Sequence, residues 1–227
     1  MEIIRAVNLN KTYGKNNTLV HAVNDVNLRI FEGEFVAIVG ASGGGKSTLL
    51  HLLGGLDEPT SGKVYINGKD IYAMGNDQRA IFRRRNIGFI FQFFNLIPVL
   101  NVKENIELPA SLDGEILEDK AVDELAQQLG LSHRLNHYPN QLSGGEQQRV
   151  SIGRALAYKP SIIMADEPTG NLDKKNSLEI LNLLKLFSNK YGITVVMITH
   201  DLNLAASADR IIKIEDGRIL EEKDESN

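Results

Sequence analysis

The segment that most narrows what this chain can fold into is the apolar run Phe35 to Val39, followed at once by Gly40-Ala41-Ser42-Gly43-Gly44-Gly45-Lys46-Ser47 and then by a helical pattern from Lys46 to Leu53. A compact apolar run of this length predicts a strand, and a glycine cluster at its end predicts a tight loop feeding the helix. In that setting G-x-x-x-x-G-K-[ST] is a phosphate cradle. Glycines let the backbone wrap closely enough for its N–H groups to point at phosphate oxygens, and the helix behind them adds its positive dipole end. Gly40, Ser42, Gly43, Gly44 and Gly45 are the expected cradle. Lys46 reaches the β and γ phosphates, Ser47 offers its hydroxyl to Mg²⁺, and Thr48 hydrogen-bonds a neighbouring phosphate oxygen. Without this context the same glycines are a flexible turn ahead of a helix.

A phosphate cradle of this kind needs a carboxylate on a second strand to anchor the metal. Ile162-Ile163-Met164-Ala165-Asp166 predicts a buried strand that delivers Asp166 to the sheet edge, with Glu167 next. Successive residues at a strand end point to opposite sides, so the two carboxylates are expected to take different work: Asp166 holds Mg²⁺ through water, and Glu167 polarises the attacking water as general base. The plain alternative is a solvated acidic turn.

Residues Met1 to Ile30 alternate Ile and Val with polar residues and predict antiparallel strands, with a turn around Gly14 to Asn17. Val64 to Ile66, Asn67-Gly68 and Asp70-Ile71 predict a hairpin, Gly88 to Phe91 a short strand, and Ile211 to Leu220 a second hairpin. Strand signals fade between about 95 and 157, where Val122, Leu125, Ala126 and Leu129 share a helical face. They return at Ile162 and at Thr194 to Thr199, after a helical stretch from Leu178 to Phe187. The expected fold is α/β: a P-loop NTPase core with a mainly parallel sheet, an N-terminal antiparallel β subdomain, and an inserted α-helical subdomain. The expected division is one domain over 1–227, with 1–94 and 158–227 as core and about 95–157 as the helical insert.

With 227 residues the chain is long enough for one such domain, and 42% hydrophobic with 24% charged residues is ordinary globular usage. A net charge of -4 gives no global attraction for a polyanion, so nucleic acid is not an expected partner. The lack of cysteine excludes a thiol nucleophile and a disulfide framework, and suits a reducing cytosol. No leader-like N-terminus and no run near the roughly 18 apolar residues of a membrane span is present. Action at a membrane would therefore go through another, spanning polypeptide. Arg83-Arg84-Arg85 is expected to be a solvated helix face, with lipid headgroups or a membrane protein as the rival reading, and the acidic tail Glu221 to Asn227 to be solvated and mobile.

Leu142-Ser143-Gly144-Gly145-Glu146-Gln147-Gln148-Arg149, upstream of the Asp166-Glu167 strand, resembles the signature of ATP-binding-cassette (ABC) ATPases. The resemblance spans essentially the whole chain. Tyr13 looks like the family's adenine-stacking aromatic, Gln92 like its Q-loop glutamine with a place at the Mg²⁺ shell, Asn171-Leu172-Asp173 like its D-loop, and His200 like its switch histidine. It implies ATP and Mg²⁺ as cofactors and head-to-tail closure of two chains, in which Ser143, Gly144 and Gly145 meet the γ-phosphate held by the other subunit. Ser143 and Glu146 also have the spacing of a capping box, so a well-capped helix start is the mundane reading. Glu146 departs from the family's usual Gln. GLDEPTSG, IGFIFQFFNLIP and DEPTGNLD are similar to ATPases of lipoprotein release, macrolide efflux and antimicrobial-peptide resistance. That implies a separate permease and a position on the cytoplasmic side of the cell membrane. The apolar stretch Phe93, Phe94, Leu96 and Ile97 after Gln92 is either core or a groove for a partner's short helix, the second reading making Gln92 to Ile97 the region that passes motion to the permease. ABC-type ATPases of DNA repair or translation are the main alternative, although they usually carry long coiled coils, zinc motifs or two cassettes. A small-molecule kinase is the third.

Overall fold

A computed structural model describes residues 1–15 and 18–224, the last four of these by backbone alone. In chain order the elements are β1 (Glu2–Tyr13), β2 (Val20–Phe31), β3 (Phe35–Val39), α1 (Lys46–Leu53), β4 (Ser61–Ile66), β5 (Lys69–Asp70), α2 (Asn76–Asn86), β6 (Ile87–Phe91), α3 (Val102–Ser111), α4 (Asp119–Gln128), α5 (Gly144–Leu156), β7 (Ile162–Asp166), α6 (Lys174–Tyr191), β8 (Thr194–Ile198), α7 (Leu202–Ala205), β9 (Arg210–Glu215) and β10 (Arg218–Asp224). Single 3₁₀ turns lie at Ser132–Arg134 and Pro139–Gln141.

These strands form two sheets, a four-stranded one ordered β2-β1-β4-β5 and a six-stranded one ordered β10-β9-β3-β8-β7-β6. In the larger sheet β9, β3, β8, β7 and β6 run parallel, and only β10 is antiparallel. Such strands must be apolar on both faces, and β3 and β8 are buried at every position. Their alternation sorts side chains into two cores. Val36, Ile38, Met164, Val196 and Ile198 face the smaller sheet and α1, while Phe35, Ala37, Ala165, Val195 and Met197 face the helices. Val122, Ala126 and Leu129 join the second core, and Leu125 packs against it partly buried.

Asn67 and Gly68 both take positive φ, 50° and 73°, as a two-residue turn with the twist of the strands requires. The Gly14 to Asn17 turn lies partly outside the described residues, since Asn16 and Asn17 are not among them. The expectation of a mobile tail from Glu221 is corrected up to Asp224: the backbone of β10 runs on as an edge strand, pairing Glu221 with Lys213 and Asp224 with Arg210, because the edge of β9 offers it unpaired ladder groups. Glu225 to Asn227 lie outside the described residues.

The arginine triplet is also corrected. Arg83 Nη1 donates to the Gly55 carbonyl at 2.8 Å, and Arg84 and Arg85 both pair with Asp113, whose side chain is only 2% exposed. Tyr158 completes the cluster by donating to Asp113 Oδ2 at 2.9 Å. A buried carboxylate needs such partners, so Arg84 and Arg85 tie α2 to the loop between α3 and α4 and Arg83 ties it to Gly55, while Arg85 still keeps 52% of its side chain exposed to water.

Candidate functional site

The strand register assembles the site. Phe91, Asp166, Ile198 and Ile38 lie in one row across β6, β7, β8 and β3, so the segments that follow all leave the sheet at the same carboxyl edge. Gln92, Glu167, His200 and the loop from Gly40 are thereby gathered where parallel α/β sheets open a crevice.

In the loop, Gly40, Gly43 and Gly45 have φ of 154°, 78° and 94°. A Cβ on Gly40 would stand 2.1 Å from the Ile214 carbonyl oxygen, and one on Gly45 2.0 Å from that of Ala22, so both positions require glycine. No side chain caps α1, which leaves first-turn N–H groups of this helix for an anion. Lys46, 7% exposed, folds back so that Nζ donates to the carbonyls of Gly40 and Ala41 at 2.9 and 2.8 Å. An ammonium with neutral partners and no carboxylate fits a phosphate ligand.

Ser47 Oγ donates to Asp166 Oδ1 at 3.0 Å. Asp166 Oδ2 faces His51 Nε2 at 3.4 Å, and the His51 ring meets Phe91 edge-on at 6.5 Å. His51 carries no motif in the sequence, yet it lies four residues after Ser47 and so on the same face of α1, which was the available signal. Among the described residues no three Asp, Glu or His side chains cluster as a metal cage. One hydroxyl and one carboxylate are instead the hard-oxygen set that leaves most of a Mg²⁺ shell to water and phosphate, so the donors fit.

Glu167 sits just beyond β7 with φ 46°. It diverges from Asp166 through this left-handed turn, not through the strand pleat expected from sequence, because β7 ends one residue earlier. Its Oε2 is 3.4 Å from His200 Nδ1, and His200 is 68% exposed. Gln92 Nε2 donates to Asn171 Oδ1 at 3.3 Å, while Asn171 Nδ2 donates to the Gln92 carbonyl at 2.9 Å. Gly170 permits this contact, since a Cβ there would lie 2.8 Å from Gln92 Nε2. Gln148, fully buried and given no separate role by the sequence pattern, donates to the Pro168 carbonyl at 2.6 Å and so pins α5 to the turn after β7. The stretch after Gln92 is mostly surface: Phe93, Ile97 and Val99 are exposed, and Leu96 packs inward.

At the start of α5, Ser143 and Glu146 form the capping box: Ser143 Oγ accepts from the Glu146 N–H, and Glu146 Oε2 accepts from the Ser143 N–H at 2.8 Å and from its hydroxyl at 2.7 Å. Arg134 Nε adds a bond to Glu146 Oε1 at 2.8 Å. The hydrogen bonds from Ser143, with help from Arg134, pull the Glu146 carboxyl down to about 2. Gly144 abuts Leu172, and Gly145 abuts Asn176. Asp173 caps α6, accepting from the Asn176 N–H at 2.9 Å. Tyr13 ends β1 with an exposed ring whose hydroxyl donates to Asp57 Oδ2 at 2.6 Å.

A cradle after β3, a carboxylate pair after β7 and a glycine-led helix start at α5 define a nucleotide-hydrolysing cassette. The ABC transporter family description matches residues 23–170. The lipoprotein-releasing system ATP-binding protein LolD of Geobacter metallireducens is 46% identical over 220 residues, covering 96% of this chain and 98% of that protein. The uncharacterized ABC transporter ATP-binding protein MJ1508 of Methanocaldococcus jannaschii is 51% identical over 96% of this chain and 98% of its own length. The dimeric structure of the cassette MJ0796 superposes with a TM-score of 0.91 at 44% identity, covering 99% of this chain and all of that one. The chain belongs to the ABC transporter family and is an ATP-binding, ATP-hydrolysing subunit of it. Among the described residues no helix is long and apolar enough to cross a membrane.

Proposed function

We propose that two copies of this chain close head to tail over two Mg-ATP and that hydrolysis reopens them, driving a separate permease. The carrying observation is that, among the described residues, the two helix starts make no hydrogen bond to each other. The start of α1 hydrogen-bonds Asp166 and lies close to the Ala22 backbone, whereas that of α5 hydrogen-bonds Arg134 and lies close to Leu172 and Asn176. Among the described residues, no hydrogen bond joins 143–145 to 40–48.

In this reading Lys46 and the 40–48 backbone hold the triphosphate, and Tyr13 stacks on adenine. Ser47 and Asp166 would hold Mg²⁺, with Gln92 reaching its shell, and the bound ion would supply neutralisation of phosphate charge. Glu167 accepts the proton of the attacking water, and His200 beside it orients the γ-phosphate. Ser143, Gly144 and Gly145 come from the other copy, with Asp173 at the seam. Residues 1–94 and 158–227 act as the core and 95–157 as a helical arm. The exposed Phe93, Ile97 and Val99 meet the permease, which holds the chain at the cytoplasmic membrane face.

The LolD relatives, at 46% and 44% identity, support the lipoprotein-release reading within the expected exporter branch. A second MJ0796 structure, a dimeric post-hydrolysis state bound to ADP and Pi, supports the hydrolytic dimer. Affinity capture of the tagged chain from gently solubilised membranes tests the proposal. A stoichiometric multi-span permease is expected, and salt-sensitive DNA or ribosomes in its stead would overturn it.

A further inference from the structure

The segment after α1, within the GLDEPTSG stretch, reaches the far end of β1 and touches Tyr13. Lys11 and Tyr13 lie two apart on β1 and share a face. Lys11 Nζ stands over the Tyr13 ring, 4.8 Å from its centroid, and donates to Asp57 Oδ1 at 2.8 Å and to the Glu58 carbonyl at 2.6 Å. Asp57 Oδ2 takes the Tyr13 hydroxyl at 2.6 Å, and its Oδ1 also takes the Glu58 N–H at 2.7 Å. Thr12 and Thr60 stitch the same two segments together, the Thr12 N–H donating to Thr60 Oγ1 at 3.0 Å. The phenol is thus fixed at its tip by a carboxylate and covered on one face by a cation. The state of both groups agrees. Burial, then the Asp57 hydrogen bond, raises the Tyr13 phenol; burial opposes ionisation of Asp57, yet the bonds from Lys11 and Tyr13 outweigh it and lower its carboxyl.

We propose that Asp57 and Lys11 are positioning residues for nucleotide recognition, locking the Tyr13 ring so that only the face away from Lys11 receives the base. This rests on the reading that Tyr13 stacks on adenine. The ammonium polarises the ring from behind, and the Asp57 bond removes the rotamer freedom that an exposed tyrosine would otherwise lose on binding.

The test uses the full-length chain with Mg²⁺ and two probes, ATP and inorganic tripolyphosphate, which carries the phosphates without a base. Calorimetric titration should show Asp57→Ala weakening ATP about tenfold, the scale of one base stacked on an aromatic ring, while tripolyphosphate changes less than about twofold. Asp57→Asn, which keeps the shape, and Lys11→Met, which keeps the stem, should each cost about threefold for ATP alone. Tyr13→Ala should match Asp57→Ala, and the double variant should be no worse than either, because one works through the other. Equal weakening of both probes by Asp57→Ala and Asp57→Asn would reduce Asp57 to a structural stitch and overturn the proposal. Selective loss in Tyr13→Ala with none in the Asp57 variants would overturn it while leaving base stacking intact. No selective loss in Tyr13→Ala would instead sink the stacking reading itself.

Discussion

The starts of α1 and α5 are built from the same materials and finished in opposite ways. Glycines lie at both starts, in the loop before α1 and as the first two residues of α5, and both offer backbone N–H groups. α1 begins at Gly45 in the left-handed region with no side-chain cap, and its carbonyl neighbours are taken by Lys46. α5 begins at Ser143 inside a complete capping box, with Glu146 further held by Arg134. An uncapped start leaves donors unsatisfied until an anion comes; a capped start is stable alone and can lend its serine to an anion brought by something else. The difference supports the proposed reading, in which α1 carries the primary phosphate site and α5 a supplementary one.

That contrast can be broken or sharpened by substitution. Glu167→Gln leaves both helix starts untouched and removes only the base, so steady-state phosphate release should fall about 10³-fold with ATP affinity kept within about threefold. Wild-type turnover would remove Glu167 from that role. Lys46→Ala strips the cation from α1 and should lower kcat/KM at least about 10²-fold, mostly through lost phosphate alignment. Alanine at the two glycines should separate the starts in thermal melts. Gly45→Ala forces a side chain onto the Ala22 carbonyl at φ 94° and should cost about 2–3 kcal/mol, whereas Gly144→Ala meets Leu172 at 3.5 Å and Phe94 at 3.7 Å, ordinary contact distances, and should stay within about 0.5 kcal/mol.

An effect smaller than the strain at Gly45 concerns the cap. The Glu146 carboxyl sits near 2 in the folded chain, below its ordinary 4.5, so it adds stability above pH 4.5 that is lost as pH falls from there toward 2. Glu146→Gln should flatten that acidic limb and cost about 1 kcal/mol at neutral pH, read by denaturant titration across pH.

Much of this was legible in the sequence because it is local. The loop from Gly40 and the strand ending at Asp166 are contiguous patterns, and the capping box spans four residues. What stayed hidden depends on partners far along the chain. α2 has almost no apolar stripe, since it is held by Arg79 pairing with Glu58 and by Arg84 and Arg85 gripping Asp113. His51 meets Asp166 only because α1 lies beside the end of β7, and the link between Gln92 and Asn171 joins residues 79 apart. The left-handed turn at Glu167 is invisible too, since glutamate has no preference for positive φ. Strand ends in sequence show where a carboxylate emerges but not how the chain turns afterward.

The head-to-tail account is tested most directly by sedimentation velocity of Glu167→Gln with Mg-ATP, beside the same variant carrying Ser143→Arg. The first should sediment as a dimer that dissociates when ATP is withdrawn, and the second should remain a monomer. A nucleotide-saturated Glu167→Gln chain that stays monomeric at high concentration, alone and with its membrane partner, would contradict it.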